Sequence, residues 1–313
     1  MSVKEYCIGV DVGGTTVKMG LFNRGGDLLD KWEIVTRTEN GGEAILPDIA
    51  ASIKEKLAVH QVTPQEVCGI GIGVPGPMNA EGTVPHTANL GWGRKEVTRE
   101  LTELTGIPAR GGNDANVAAL GEMWKGGAEG YRNVIMLTLG TGVGGGIIID
   151  GKILVGSHGA GGEVGHTYAD ETVSGHCGCG NKGCLEQVAS ATGLVKLAKE
   201  ELERSADDSL LRQEPVTAKA VFDAVKAGDQ LAIRVAERFG DYLGKAIATF
   251  TAVLDPEVIV IGGGVSKAGP ILLEYIQKHY LRHCYKATRG VQFVLATLGN
   301  DAGIYGCART VLD

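Results

Sequence analysis

The feature that most narrows what this chain can fold into is EVGHTYADETVSGHCGCGNKGCLE, from Glu163 to Glu186. Three of the seven cysteines, Cys177, Cys179 and Cys184, fall within eight residues, and His166 stands a short loop upstream. Zinc takes four soft or borderline ligands in a tetrahedron, and Cys₃His is one of its usual structural sets. Gly178, Gly180 and Gly183 suit a tight wrap around an ion, because glycine adopts positive φ at no steric cost. A disulfide-bonded or merely buried set of thiols is the competing reading. Disulfides are rare in the cytosol and unpaired cysteines seldom bunch this closely, so the pattern favours zinc. His158 and His176 also lie near as fourth ligands. His176 directly precedes Cys177, and adjacent side chains diverge, which favours His166.

The rest of the chain is long enough, at 313 residues, for two domains and a substantial core. Lys plus Arg number 30 against 37 Asp plus Glu, a net charge of −7 with no basic run, which argues against a nucleic-acid partner. No apolar run is long enough to span a bilayer, and the N-terminus leads into a strand without a cleavable apolar region. With a thiolate metal site, this points to a reducing cytoplasm. The 49 glycines gather in clusters (GGTT, GTGVGGG, GAGGE, GGGV), as expected of backbone loops that approach a ligand.

Taken in order, Tyr6–Val12 and Val17–Phe22 read as strands around a hairpin turn, DVGGTT, at Asp11–Thr16. Backbone N–H groups at Gly13 and Gly14, with the Thr15 and Thr16 hydroxyls, would cradle phosphate oxygens, and Asp11 could hold a hydrated Mg²⁺. A plain turn explains the same residues. A third strand at 28–35, a helix at 43–59 and a buried strand at 67–74 follow, an order that suggests a mixed sheet rather than a doubly wound one. A helix is expected over 93–105 and a strand over 107–110. Asn113 and Asp114 then stand between that strand and a helix, ANVAALGEMW; capping alone accounts for one of the two polar residues. A second strand–turn–strand spans 133–149 with GTGVGGG at its bend. Helices are expected at 191–204, 217–227, 270–283 and 302–312, with a polar connection over 206–214. Asp229 caps a long helix to Leu254, stopped by Asp255-Pro256. A strand at 257–261 enters the triglycine 262–264.

GEVGH followed by CGCGNKGCLE resembles the zinc signature of the repressor–ORF–kinase (ROK) family of sugar kinases and sugar-responsive regulators. The resemblance implies zinc on His166, Cys177, Cys179 and Cys184, and Glu163, His166 and Glu186 facing a bound sugar. NDANVAALGE resembles the family segment whose aspartate is the catalytic base, which falls on Asp114 with Asn113 beside it. HTANLGW resembles the family segment with a sugar-contacting asparagine, which falls on Asn89. The two glycine–threonine hairpins resemble the phosphate loops of the actin–hexokinase superfamily, implying ATP contacts at Asp11, Gly13, Gly14, Thr15, Thr16, Gly140, Thr141 and Gly142. LDPEVIVIGGGVS resembles its adenosine motif, implying adenine and ribose contacts at Gly263, Gly264 and Val265.

The resemblance covers Gly9 to Gly306. It implies an α/β, two-domain actin-like ATPase (ribonuclease H-like) fold, with a mixed sheet in each domain and a cleft between them. The expected division is 1–113, joined by the C-terminal helix at 300–313, and 114–299 with the zinc knuckle at 166–184. The implied activity is transfer of a phosphoryl group from Mg·ATP to the 6-hydroxyl of glucose, with Asp114 as general base and zinc structural. A kinase for N-acetylmannosamine, mannose or fructose is the neighbouring reading. A sugar-sensing repressor is the other, against which stand a first strand beginning by about Tyr6 and the lack of a basic helix. The family implies a homodimer.

Overall fold

The computed structural model describes residues 4–87, 89–213 and 215–312. Residue 88 of the HTANLGW segment and residue 214 of the polar connection lie outside these. The chain forms two compact units: residues up to Gly130, Gly146–Gly162 and Leu298 onward make one, and Tyr131–Gly145 with Glu163–Thr297 the other.

The first unit opens with β1 (Tyr6–Val12), β2 (Thr16–Asn23) and β3 (Leu28–Val35), an antiparallel meander. A four-residue turn, α1 (Glu39–Gly42), leads to α2 (Ile45–Val59), then β4 (Val67–Val74). Two-residue strands β5 (Thr83–Val84) and β6 (Lys95–Glu96) pair with each other, so the expected helix at 93–105 begins only at Val97, as α3 (Val97–Thr105). The strand expected at 107–110 runs instead as β7 (Ala109–Asn113), the parallel partner of β4, and continues into α4 (Asp114–Lys125). The sheet order β3-β2-β1-β4-β7 is mixed, as the element order suggested.

One face of this sheet packs on the apolar stripe of α2 (Ile45, Ile49, Ile53, Leu57), all at most 4% exposed. The other face receives α10 (Ala302–Arg309) at backbone contact. A Cβ at Gly9 would lie 1.9 Å from the Ile304 carbonyl oxygen, and one at Gly71 1.7 Å from that of Cys307. The α4–α10 pair is equally close: a Cβ at Gly121 would meet the Ala302 oxygen at 2.2 Å, and one at Gly306 the Val117 oxygen at 1.6 Å. Only glycine permits such approach. This packing keeps α4 in the first unit, beyond the expected boundary at 113, together with the 146–162 segment.

The second sheet, order β10-β9-β8-β11-β12, is built from β8 (Val134–Leu139), β9 (Val143–Ile149), β10 (Lys152–Ile153), β11 (Val258–Gly262) and β12 (Gln292–Leu295). β8, β11 and β12 are parallel, and β9 and β10 antiparallel. The bend expected over GTGVGGG is shorter than its glycines suggest. β9 starts at Val143, and Gly146 lies within it because Ala119 of α4 occupies the space where its Cβ would be, 2.5 Å away. In the second unit follow α5 (Glu186–Ala189), α6 (Ala191–Arg204), α7 (Ala218–Lys226), α8 (Gln230–Leu254) and α9 (Pro270–His283). Asp229 caps α8 through Ala232 N–H at 2.9 Å, as its position predicts.

Candidate active site and metal centre

In the first unit the carboxyl ends of three parallel strands bring the acidic candidates to one edge. Asp11 on β1 pairs with Gly73 on β4, and Gly73 with Gly112 on β7, two residues before Asp114. Two strand spacings put Asp11 and Asp114 roughly 10 Å apart in the sheet direction. Burial pushes the Asp11 carboxyl up to about 6, with a further rise from the charge of Asp114 and an opposing pull from Lys18. No hydrogen bond to its side chain occurs among the described residues. Asn113 is the cap of α4: its Oδ1 accepts from Ala115 N at 3.0 Å and Asn116 N at 3.1 Å, and its Nδ2 donates to the Gly76 oxygen at 3.2 Å. Capping therefore does not account for Asp114, which stands in the first turn with Oδ1 accepting from Ala115 N at 2.8 Å.

The DVGGTT turn closes through Gly13 N–H to the Thr16 oxygen at 3.0 Å, while Thr36 bonds Gly13 and Thr15 from the side. Gly13 N–H is thus spent inside the turn. The N–H groups of Gly14 and Thr15 remain, without partners among the described residues. Asn89 is exposed and beside them: the nearest atom to a Cβ at Gly14 is Asn89 Cβ, at 3.8 Å.

In the second unit His166, Cys177, Cys179 and Cys184 converge, with one ligand atom of each within 4.8 Å of all the others. Cys177 Sγ lies 3.4 Å from His166 Nδ1, and Cys179 Sγ 3.6 Å from Cys184 Sγ. Zn–S bonds near 2.3 Å and Zn–N bonds near 2.0 Å on tetrahedral axes require edges of about 3.5–3.8 Å, so the set fits the ion. His176 and His158 are exposed and outside the group. Gly180 and Gly183 hold positive φ, of 92° and 82°; Gly178 does not, so it is not needed for the wrap as expected. Without metal, burial pushes the Cys177 thiol up to about 12 and raises that of Cys184, whereas a backbone hydrogen bond from Asn181 lowers that of Cys179.

His166 turns Nδ1 to the sulfurs and Nε2 the other way, 3.8 Å from Glu163 Oε2. Glu186 sends Oε1 to within 3.4 Å of Cys177 Sγ and accepts from Val143 N with Oε2 at 3.1 Å. Gly140, Thr141 and Gly142 form the β8–β9 turn, closed by Gly140 N–H to the Gly142 oxygen at 3.0 Å. Gly263, at φ 83°, lies on the end of β8: its Cβ would be 2.6 Å from Leu139 N and O. Gly264 and Val265 start the helical turn that follows. Each unit therefore gathers its own share of the candidates: Asp11–Thr16, Asn89, Asn113 and Asp114 in one, the knuckle, Glu163, Glu186 and two glycine turns in the other.

A model of the ROK family matches residues 7–313. The chain belongs to the ROK family. Among its ROK relatives is a glucokinase from Halalkalibacterium halodurans, 44% identical over 312 residues, covering 98% of this chain and 94% of the relative. The solved ROK hexokinase from Thermus thermophilus is 33% identical with a TM-score of 0.82, covering 97% of each chain. A ROK glucokinase from Streptomyces griseus, solved with glucose and AMPPNP, is 32% identical with a TM-score of 0.75, covering 97% of this chain and 98% of that one. The two-unit α/β fold with mixed sheets is thus the ROK kinase, actin-like ATPase fold.

Sequence reasoning missed three features beside these candidates. Thr87, in the HTANLGW segment chosen for Asn89, is 3% exposed, with a hydroxyl that has no partner among the described residues. Asp170, behind the knuckle, receives the Tyr242 hydroxyl from α8. The third is the attachment of the β8–β9 turn to the segment leaving the knuckle: Ala191 N donates to the Gly140 oxygen at 2.8 Å, and Thr192 Oγ1 to that of Thr141 at 3.0 Å. The helix start at Ala191 was expected, and Ser190 caps it; nothing local signals the turn it holds.

Proposed function

We propose that this chain is an ATP-dependent glucokinase, moving the γ-phosphoryl group of Mg·ATP to the 6-hydroxyl of glucose. The observation that supports the reading is the arrangement at 113–114: Asn113 caps the helix, so the cap does not account for the carboxylate of Asp114 in the first turn, at the carboxyl edge of the sheet that also carries Asp11. Asp114 takes the proton of the primary hydroxyl as that oxygen attacks phosphorus. The transition state is loose, so positioning and charge neutralisation carry most of the acceleration. Asp11, half-buried and without a hydrogen-bond donor among the described residues, suits a hydrated Mg²⁺, which would supply positive charge to the phosphates. The Gly14 and Thr15 N–H groups, the hydroxyls of Thr15 and Thr16, and the turn Gly140–Gly142 hold phosphate oxygens; Gly263, Gly264 and Val265 flank the adenosine. A Cβ at Gly140 or Gly264 would meet nothing within 4 Å. The fold itself does not require glycine at these two positions, whereas close approach of a ligand does.

Glucose hydroxyls are held by Asn89, by the second Nδ2 hydrogen of Asn113, by Glu163 and Glu186, and by His166 through Nε2–H. When bound, zinc is a closed structural centre on His166, Cys177, Cys179 and Cys184 that fixes the knuckle. Taking Nδ1 as the ligand atom leaves the ring hydrogen on Nε2, where a sugar oxygen can accept it. The ROK resemblance supports a homodimer, and the thiolate set supports a reducing cytoplasm. No described helix is long and apolar enough to cross a membrane. Initial rates with glucose, mannose, fructose and N-acetylmannosamine, each with Mg·ATP, test the reading. The highest kcat/KM is expected for glucose; a higher value for another of the four would replace glucose as substrate.

A further inference from the structure

Glu186 touches more than a sugar contact requires. Its Oε2 accepts the Val143 N–H at 3.1 Å, at the point where the Gly140–Gly142 turn enters β9. The turn's other side bonds come from the same short stretch, Ala191 N and Thr192 Oγ1. The segment that begins at the metal-ligand residue Cys184 therefore straps the turn from residue 186 to residue 192. Gly142 is shaped to this strap. A Cβ there would lie 2.0 Å from Glu186 Oε2, 3.0 Å from Cδ and 3.6 Å from Cγ, the three nearest atoms all belonging to Glu186. Its φ is not left-handed, so backbone conformation does not demand glycine.

We infer that Glu186 is a positioning residue joining the sugar side of the site to the phosphoryl-donor turn, and that residue 142 is glycine to admit its carboxylate rather than a phosphate. This rests on the proposed glucokinase reading for the identity of the two ligands. One carboxylate oxygen sets the turn and the other faces the knuckle and the sugar. Occupancy of the sugar site then restricts the rotamer that holds Val143, and the donor turn is most ordered when sugar is present. The two substrates bind with positive coupling through a single side chain.

Gly142→Ala displaces Glu186 without altering its chemistry. Calorimetry with glucose and, separately, AMPPNP should show Gly142→Ala weakening glucose at least 10-fold, in addition to any loss with AMPPNP. Glu186→Ala should weaken AMPPNP several-fold, because Val143 loses its acceptor. In the Glu186→Ala background, adding Gly142→Ala should change glucose affinity by less than twofold, since the obstructing carboxylate is gone. Glucose affinity unchanged in Gly142→Ala, or AMPPNP affinity unchanged in Glu186→Ala, overturns the inference. Should Gly142→Ala fail to fold, the Glu186→Ala affinity for AMPPNP decides alone. If the wild-type protein binds neither ligand, the functional reading fails, and melting temperatures still judge the geometry: Gly142→Ala must lower the melting temperature in the wild-type background and not in Glu186→Ala. Equal shifts in both refute the fit.

Discussion

Asp11→Asn should make the protein more stable while crippling it. Burial and the neighbouring Asp114 hold the Asp11 carboxyl at about 6, against an ordinary value of 3.8. A group whose folded pKa is raised binds more protons folded than unfolded between those two values, so its contribution to stability falls as pH rises through that window. About two units at 1.36 kcal/mol each amount to a penalty of about 3 kcal/mol at pH 7. The amide removes the charge but leaves its own polar atoms buried, which returns about 1–2 kcal/mol. A net gain of about 1–2 kcal/mol remains, or about 2–8 °C for a unit of this size. Thermal and urea melts without Mg²⁺ or nucleotide, at pH 7.0, 5.5 and 4.0, would measure it. The variant should lead clearly at pH 7.0, less at 5.5, and not at all near 4.0, where wild-type Asp11 is protonated when folded and only about half ionised when unfolded, so that little of the penalty is left. Turnover at pH 7 should fall steeply. A variant less stable than wild type at pH 7.0, or a gap that does not close on acidification, refutes the reasoning.

Asp114→Asn should fold and retain glucose binding by calorimetry, with kcat reduced ~10²–10⁴-fold, the range of a lost general base; more than a tenth of wild-type kcat would remove Asp114 from the proton transfer. Protein purified without added zinc should carry one zinc per chain by metal analysis, and Cys179→Ser should lose it, whereas His176→Ala should keep it. Gly71→Ala should cost at least 1–3 kcal/mol in urea melts, because its Cβ would lie 1.7 Å from a backbone oxygen that cannot swing aside; an unchanged midpoint would show that α10 yields more easily than its packing implies.

Where the chain's logic is local, its residues disclosed it. The meander β1–β3, the stripe of α2, the Asp229 cap and the helix Ala191–Arg204 follow from periodicity and end signals. The convergence of His166, Cys177, Cys179 and Cys184 was legible because one imidazole and three thiols lie within 19 residues of sequence. What escaped was decided by contacts between distant segments. Gly142 and Gly146 looked like loop glycines, yet one makes room for Glu186 and the other for Ala119. Gly9, Gly71, Gly121 and Gly306 stand singly inside strands and helices, where an isolated glycine signals close backbone approach. That signal was present and was overshadowed by the clusters. The order of roles at 113–114 needed the hydrogen bonds themselves, since Asn and Asp cap equally well.

The seating of α10 on β1 and β4 has a consequence for synthesis. The first unit is not contiguous: its sheet emerges first, and the helix that covers one face comes only after residues 131–297. Until then Cys7 and Phe22, both fully buried in the finished fold, together with Leu28, Cys68 and Trp124, lack their lid of Ile304, Tyr305 and Ala308. At ribosomal rates of about 5–20 residues per second, that wait lasts about 10–30 s. The nascent chain must therefore carry an uncovered apolar sheet face while the intervening unit is made, a natural point for chaperone engagement. A chain interrupted anywhere within the inserted unit would keep that face exposed for its whole lifetime.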